Sequence, residues 1–344
     1  MTKLRTLREI EKVFNQKLKT KVKKWVDGSA ENGYTTKKNR EIFRKISLIP
    51  RVLRDIKKVN IESNFFGQKI SSPLLIAPMG GLTQFNKKAE LLISNSSEEK
   101  RIPYFFPDNS AYFLKEIYKK NKKYLQSYLH LDSDLEYCKM HLDQAEKYNC
   151  RTIGINVDSP IRPVSYNKID TGYDARKFVL RLPRYYKRKK SEPLNWKILE
   201  KIRKLTKKPI ILKGILSEED AILSSKIGVN SIWVTNHGGR VLESDLTSLE
   251  QLPKIKNKLS KKLKIIVDGG VRSGSDIIKC LSLGADYVAI GRPIIYGLIA
   301  NSNIGVSRVL ELFMNELKIS LRLCGFEKIS DLSNKNIVNN LNEN

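Results

Sequence analysis

Eight short, almost wholly apolar runs, each followed by a polar turn and then by a stretch with helical spacing, leave few folds open to this chain. The runs fall at 74–77, 103–106, 124–129, 152–157, 210–213, 231–235, 264–267 and 287–290. Strands this brief and this continuously apolar are covered on both faces, the habit of parallel sheets flanked by helices. Between them, Ser217-x-x-Asp220 and Thr247-x-x-Glu250 match capping boxes. The segment 276–283 brings Ile277, Cys280, Leu281 and Leu283 to roughly one side before Gly284 stops it. Eight alternations fit either a closed (β/α)8 TIM barrel or a doubly wound open sheet.

The polar residues decide between the two. Met79 follows the first run, Gln126 and Tyr128 lie in the third, Asp158 follows the fourth and Lys213 ends the fifth. His237 and Arg240 follow the sixth, Asp268 the seventh and Arg292 the eighth. A barrel gathers the C-terminal ends of all its strands at one mouth, whereas an open sheet spreads them along an edge. The expectation is therefore an α/β chain with a single domain over 1–344: an N-terminal helical extension at 1–72 that closes the barrel's bottom or side, a core at 73–300, and a C-terminal helix and tail at 301–344. The strandless stretch from about 159 to 200 is expected to cover the mouth as a long loop.

Bulk features narrow the remaining classes. No run of eighteen apolar residues exists, which argues against a membrane-spanning helix. The opening MTKLRTLREIEKVFNQKLKTKVKKW has no continuous apolar stretch of the signal-peptide kind and reads as an amphipathic helix, with Glu9 and Glu11 arguing against a transit peptide. Cys138, Cys150, Cys280 and Cys324 are scattered with no metal-ligand spacing, as expected of reduced thiols in a cytoplasmic protein, and no metal is expected. The formal charge of +28 invites a nucleic-acid reading, but the lysines run along the whole chain and no nucleic-acid-binding motif accompanies them. The dense run RLPRYYKRKK at 181–190 is expected to be solvated or to touch an anionic membrane surface, such as the inner face of the membrane, or a partner.

The motif Thr235-Asn-His-Gly-Gly-Arg240 carries the strongest chemical signal. A histidine between a strand and a Gly-Gly turn is exposed to a ligand and titrates near neutrality, which suits general acid–base work. Arg240 presents a planar fork to a carboxylate. Asp268-Gly-Gly-Val-Arg-Ser-Gly274 and Ala289-Ile-Gly-Arg-Pro293 are two Gly-rich turns after the last two strands, each with an arginine, where barrels hold phosphate. Lys213, closing the run Pro209-Ile-Ile-Leu212, is either a Schiff-base nucleophile or a cation beside an electron-rich cofactor. Asp158 is a natural partner for His237.

With these residues in view, the chain resembles the FMN-dependent 2-hydroxy-acid oxidase and dehydrogenase family, which includes glycolate oxidase, lactate oxidase, lactate dehydrogenase and mandelate dehydrogenase. The similarity runs from about Trp25 to Gly325 through TNHGGR, LKGILSEEDA, VDGGVRSGSDIIKCLSLGADYVAIGRP, LLIAPMG and NREIFRKISLIPRVLRD. The resemblance implies FMN as cofactor, a small L-2-hydroxy acid as substrate, oxygen, a quinone or a protein as electron acceptor, and a homotetramer. It implies His237 as active-site base with Asp158 as its carboxylate partner, and Arg240 on the substrate carboxylate. Tyr128 would hydrogen-bond substrate, and Gln126 and Asn156 would stand by the flavin ring. Lys213 would stabilise the reduced flavin, and Pro78 and Met79 would line the ring through their backbone. Asp268 would meet the ribityl chain, with Gly270, Arg272, Gly291 and Arg292 on the phosphate.

The chain departs from the family pattern around the substrate. Trp25 stands where a substrate-binding tyrosine is usual, Pro107 replaces a small hydroxyl residue, and Ser165 replaces a second carboxylate-binding arginine, with Arg162 nearby at different spacing. The loop after the fourth strand is also shorter than usual. These changes keep open an FMN-dependent oxidase of a specialised substrate (a modified amino acid, a peptide or a natural-product intermediate). An FMN-dependent isomerase and a basic non-enzymatic scaffold stand further off.

Overall fold

The structure is a computed structural model that describes residues 4–161, 163–173, 193–260 and 262–341. The chain opens with α1 (Leu7–Lys17), α2 (Thr20–Val26) and α3 (Tyr34–Glu41), then β1 (Ile46–Leu48) and a hairpin of β2 (Ser63–Phe65) and β3 (Gln68–Ile70). The alternation follows: β4 (Leu74–Ile76), α4 (Ala89–Lys100), β5 (Tyr104–Pro107), α5 (Leu114–Tyr118), β6 (Leu125–His130), α6 (Leu135–Lys147) and β7 (Ile153–Asn156). After α7 (Tyr166–Thr171) and α8 (Trp196–Lys204) come β8 (Ile210–Ile215), α9 (Glu218–Ile227), β9 (Ser231–Val234), α10 (Ser248–Lys258), β10 (Lys264–Val267), α11 (Gly274–Ser282) and β11 (Tyr287–Ile290). α12 (Arg292–Leu323) and β12 (Ile337–Asn339) end it.

Strands β4 to β11 close into one barrel in the order β10-β11-β4-β5-β6-β7-β8-β9, parallel throughout. The two-residue period of a strand separates the two faces. Leu75, Phe105, Tyr128, Ile211, Trp233, Ile266 and Ala289 fill the interior, while Leu74, Tyr104, Leu129, Leu212, Ile232, Ile265 and Val288 pack outward against the helices. Both faces are therefore apolar, which is why the runs read as continuous rather than alternating.

Helix ends follow their sequence signals in part. Thr247 and Glu250 form a full capping box on α10, whereas Ser217 caps α9 by accepting from the Asp220 N–H without the reciprocal bond. α12 begins earlier than the expected 301 and breaks at Asn301 and Ser302, where the backbone leaves helical geometry. Its two halves cross so closely that a Cβ on Gly305 would lie 1.9 Å from the Gly297 carbonyl oxygen.

The N-terminal extension is less helical than expected. The β2–β3 hairpin, turning at Phe66–Gly67, brings Phe65 and Ile70 against Leu75, Phe105 and Tyr287 at the base of the interior. A hairpin, and not a helix, thus closes the bottom, because two aromatic rings fill a barrel floor that a helix is too wide to enter. β1 pairs with β12, joining the extension to the C-terminal tail. The basic run 181–190 and Arg162 lie outside the described residues. Among the described residues no helix is long and apolar enough to cross a membrane. All four cysteines are buried and unpaired.

Candidate active site

Continuing each strand's inward-facing residues upward by two gives the walls of a cavity of about 780 Å³ at the C-terminal mouth. Ala77 leads to Met79, Phe105 to Pro107, Tyr128 to His130, Ile211 to Lys213, Ile266 to Asp268 and Ala289 to Gly291, and every one of these upper residues lines it. From the turns come Pro78, Gly270, Arg272, His237, Arg240 and Arg292, and from the end of α2 comes Trp25. Twelve of the fifteen residues singled out from the sequence thus meet in one cavity; Gln126, Asn156 and Asp158 stand just behind its wall.

His237 sits in left-handed backbone at φ 56°, with its N–H bonded to Thr235 Oγ1 at 2.9 Å. Its Nδ1 meets Asp158 Oδ1 at 2.9 Å and Oδ2 at 3.1 Å, which leaves Nε2 toward the cavity. Lys213 Nζ approaches the same carboxylate at 3.9 Å and lies over the Trp233 ring, 5.6 Å from its centroid. Gly214 permits this arrangement. Its φ of +116° makes a bulge in β8, and any Cβ there would stand 2.5 Å from that of Asp158.

Charges in the cluster are strongly coupled. Burial opposes ionisation of Asp158, yet its pairing with His237 and the nearby Lys213 overcomes it and holds the carboxyl far below its usual range. Burial pushes His237 below its ordinary value, Lys213 adds to that and Asp158 opposes it, so the imidazole is neutral at pH 7. Asp268 accepts from Thr235 Oγ1, and its burial raises its pKa.

On the opposite side, two guanidinium groups share one segment of backbone. Arg240 donates to the carbonyls of Val26 at 3.0 Å, Gly28 at 2.9 Å and Trp25 at 3.1 Å. Arg292 donates to Val26 at 3.1 Å, Gly238 at 3.1 Å and Gly28 at 3.0 Å. The carbonyls of Trp25, Val26 and Gly28 lie at the C-terminal end of α2, where cations are favoured. Burial and the neighbouring Arg292 bring Arg240 down to about 9, still charged at neutral pH. Arg272 covers the Tyr296 ring and keeps a buried Nε with no partner.

Gln126 stands deeper, and Asn156 is level with Lys213 in the register. Gln126 is level with Phe105 in the register, and its Oε1 accepts from the Thr152 N–H and hydroxyl, both at 2.9 Å. Asn156 accepts from the Tyr128 hydroxyl at 2.7 Å and donates to Ser159 Oγ at 2.7 Å. Ser165 is buried in a bridge to Glu31 and does not line the cavity.

One pair on the wall was not foreseen. His130 and Asp108 lie at the ends of the adjacent strands β6 and β5. His130 Nδ1 meets Asp108 Oδ1 at 2.7 Å, and its backbone N–H donates to Oδ2 at 2.8 Å. The period-two step from Tyr128 puts His130 on the inner face and is the signal that would have found it.

Comparison with known proteins agrees with this architecture. A family model described as FMN-dependent dehydrogenase matches residues 14–339. The chain is 31% identical to an L-lactate oxidase of Lysinibacillus sphaericus, over 96% of this chain and 92% of that one. It is 30% identical to the 2-hydroxyacid oxidase 2 of Homo sapiens, over 94% and 95%. The structure of a mandelate oxidase variant with 2-hydroxy-phenylacetamide superposes with a TM-score of 0.86 at 29% identity, covering 94% of this chain and 95% of that one.

Proposed function

The chain belongs to the FMN-dependent dehydrogenase family, and from that premise we propose that it oxidises a small L-2-hydroxy acid to the 2-oxo acid with His237 as the base. It is an FMN-dependent oxidoreductase acting on CH–OH donors. The residues present fit that cofactor. Arg272 Nε and Gln126 Nε2 are buried donors without partners, and Gly269 and Gly270 present their backbone at positive φ beside Arg272 and Arg292. In this reading Gly270, Arg272, Gly291 and Arg292 hold the phosphate, and Asp268 the ribityl chain. Pro78, Met79, Gln126, Asn156 and Lys213 surround the ring. FMN, when bound, supplies the two-electron acceptor.

The chain's own residues do the rest. Asp158 fixes His237 with Nδ1–H directed at the carboxylate, so Nε2 carries the lone pair that takes one proton from substrate. The imidazolium that forms stays paired with a carboxylate that is already ionised. Lys213 places a buried positive charge where electron density accumulates. Arg240 spends three of its five N–H groups on backbone carbonyls, which leaves two for a substrate carboxylate. Tyr128, on the facing wall, and Trp25, whose ring lies 5.3 Å from the Arg240 guanidinium carbon, bound the substrate.

The observation that carries this reading is the His237–Asp158 pair on the wall of a cavity that also holds Lys213 and Arg240. Anaerobic addition of L-2-hydroxy acids to the FMN-loaded protein tests it. Bleaching of the flavin band that disappears in His237→Ala is the expected result, and a band that no hydroxy acid bleaches would sink it. Trp25, Pro107 and the withdrawn Ser165 favour a second reading, a specialised substrate for the same flavin, which bleaching by larger acids alone would support.

A further inference from the structure

His130 and Asp108 repeat the geometry of His237 and Asp158 on a different part of the cavity wall, yet the oxidation of a 2-hydroxy acid requires one base only. The Asp108 side chain is 3% exposed and fully engaged, accepting from the His130 ring, the His130 backbone N–H and, at 3.0 Å, the Tyr137 hydroxyl. The His130 side chain is 32% exposed and lines the cavity beside Asn109 and Tyr128, with its ring edge-on to that of Tyr128 at 5.8 Å. A carboxylate that grips both a ring nitrogen and the same residue's backbone fixes the imidazole in one orientation. Nδ1 is committed to the buried side, so the ring edge bearing Nε2 is the one that meets the cavity.

We infer that His130, oriented by Asp108, is a specificity-determining residue whose Nε2–H donates to an oxygen at the far end of the substrate's side chain, so that the preferred substrate is an L-2-hydroxy acid carrying a second carboxylate. This rests on the hydroxy-acid reading above and narrows it. An imidazolium donates and does not accept, so its ligand atom is an acceptor, and a carboxylate oxygen is the strongest one available. On this part of the wall Met79, Pro107, Pro160, Ile161 and Pro163 have no side-chain donor, and Asn109, Ser159, Lys168 and Tyr173 are the other side chains that can donate to the same end of a substrate.

The charge state agrees with this role. Burial works against protonation of His130, but Asp108 outweighs it and raises the ring above its ordinary value. The groups facing it are Asp108 after β5, Tyr137 and His141 on α6, Asp158 after β7, Lys213 on β8 and His237 after β9. The two histidines are thus pushed apart, His237 toward the neutral form and His130 toward the cation. A group with a raised value keeps its proton to higher pH, so the preference for a second carboxylate is full in acid and is lost as pH rises through that value. Asp108 acts through His130 and is a positioning residue.

The test uses the FMN-loaded protein. Rates of anaerobic flavin bleaching by L-malate and L-2-hydroxyglutarate are compared with that by L-lactate, and binding of 2-oxoglutarate and pyruvate is measured in parallel by calorimetry. The wild type is expected to favour one dicarboxylate over the monocarboxylate by at least about tenfold in both readouts. His130→Gln and Asp108→Asn should each collapse that ratio, and Asp108→Asn should also shift its pH profile toward acid. Equal preference in the wild type, or a ratio that survives His130→Gln, overturns the inference. Discriminating binding with no bleaching by any acid supports the inference and sinks the hydroxy-acid oxidation alone.

Discussion

At the scale of single residues, the mouth of the barrel is organised by two carboxylates that burial would neutralise and nearby basic groups keep charged. His237 has a lowered pKa and works as a base when neutral, so the rate should rise with pH on an acid limb centred below the ordinary histidine value. In Asp158→Asn the stabilising charge is gone, and that limb should move further toward acid while its plateau falls by roughly 10²–10⁴-fold, read from kcat/KM against pH. Glu90 gives the opposite case. It is fully buried, its Oε2 has no partner, and burial raises its pKa. The cost of ionising such a group in the fold grows as pH rises above the ordinary carboxyl value, so Glu90→Gln should be more stabilising at pH 8 than at pH 5 in urea titrations. TNHGGR could be read because its residues are contiguous. His130 could have been placed on the inner face by its period-two step from Tyr128, but its pairing with Asp108 is set by the β5–β6 register and carries no motif of its own.

At the scale of elements, the eight strands were legible to within a residue or two, because a buried strand writes its own apolar run. What escaped were the pieces whose partners are distant. β1 pairs with β12 across nearly the whole chain, and neither three-residue segment has a pattern of its own. The β2–β3 hairpin announces itself only by SNFFGQKI, and its role as a floor depends on the closed barrel above it. Phe65 is wholly buried there, with three aromatic neighbours set edge-on. Phe65→Ala should cost about 3–5 kcal/mol, measured as a lower urea midpoint at unchanged slope. α12 poses a stricter constraint at its crossing. Gly305→Ala adds a methyl where a backbone oxygen already sits, and the two halves must separate; a loss of about 2 kcal/mol or more in the same measurement is expected.

For the molecule as a whole, the formal charge of +28 is the dominant long-range term. Like charges at that density repel, and the repulsion is screened over about 10 Å at 0.1 M ionic strength. The melting temperature should therefore rise with added sodium chloride between 20 and 300 mM, and a fall would mean that the ion pairs outweigh the repulsion. The barrel was foreseeable at this scale from alternation alone; the placement of the end of α2 at the mouth was not, because it is held there by Arg240 and Arg292, more than two hundred positions downstream.

Those two arginines have a consequence of their own. Arg240 and Arg292 share two carbonyls at the end of α2, those of Val26 and Gly28, and both also face the cavity. Any anion that draws on these guanidiniums must either share them with the backbone or displace it, so occupancy of the cavity and seating of the end of α2 are expected to form a linked equilibrium. Linkage of this kind runs in both directions with equal strength. Proteolysis near α2 should therefore slow when the barrel is occupied if the anion shares the guanidiniums, and quicken if it displaces the backbone.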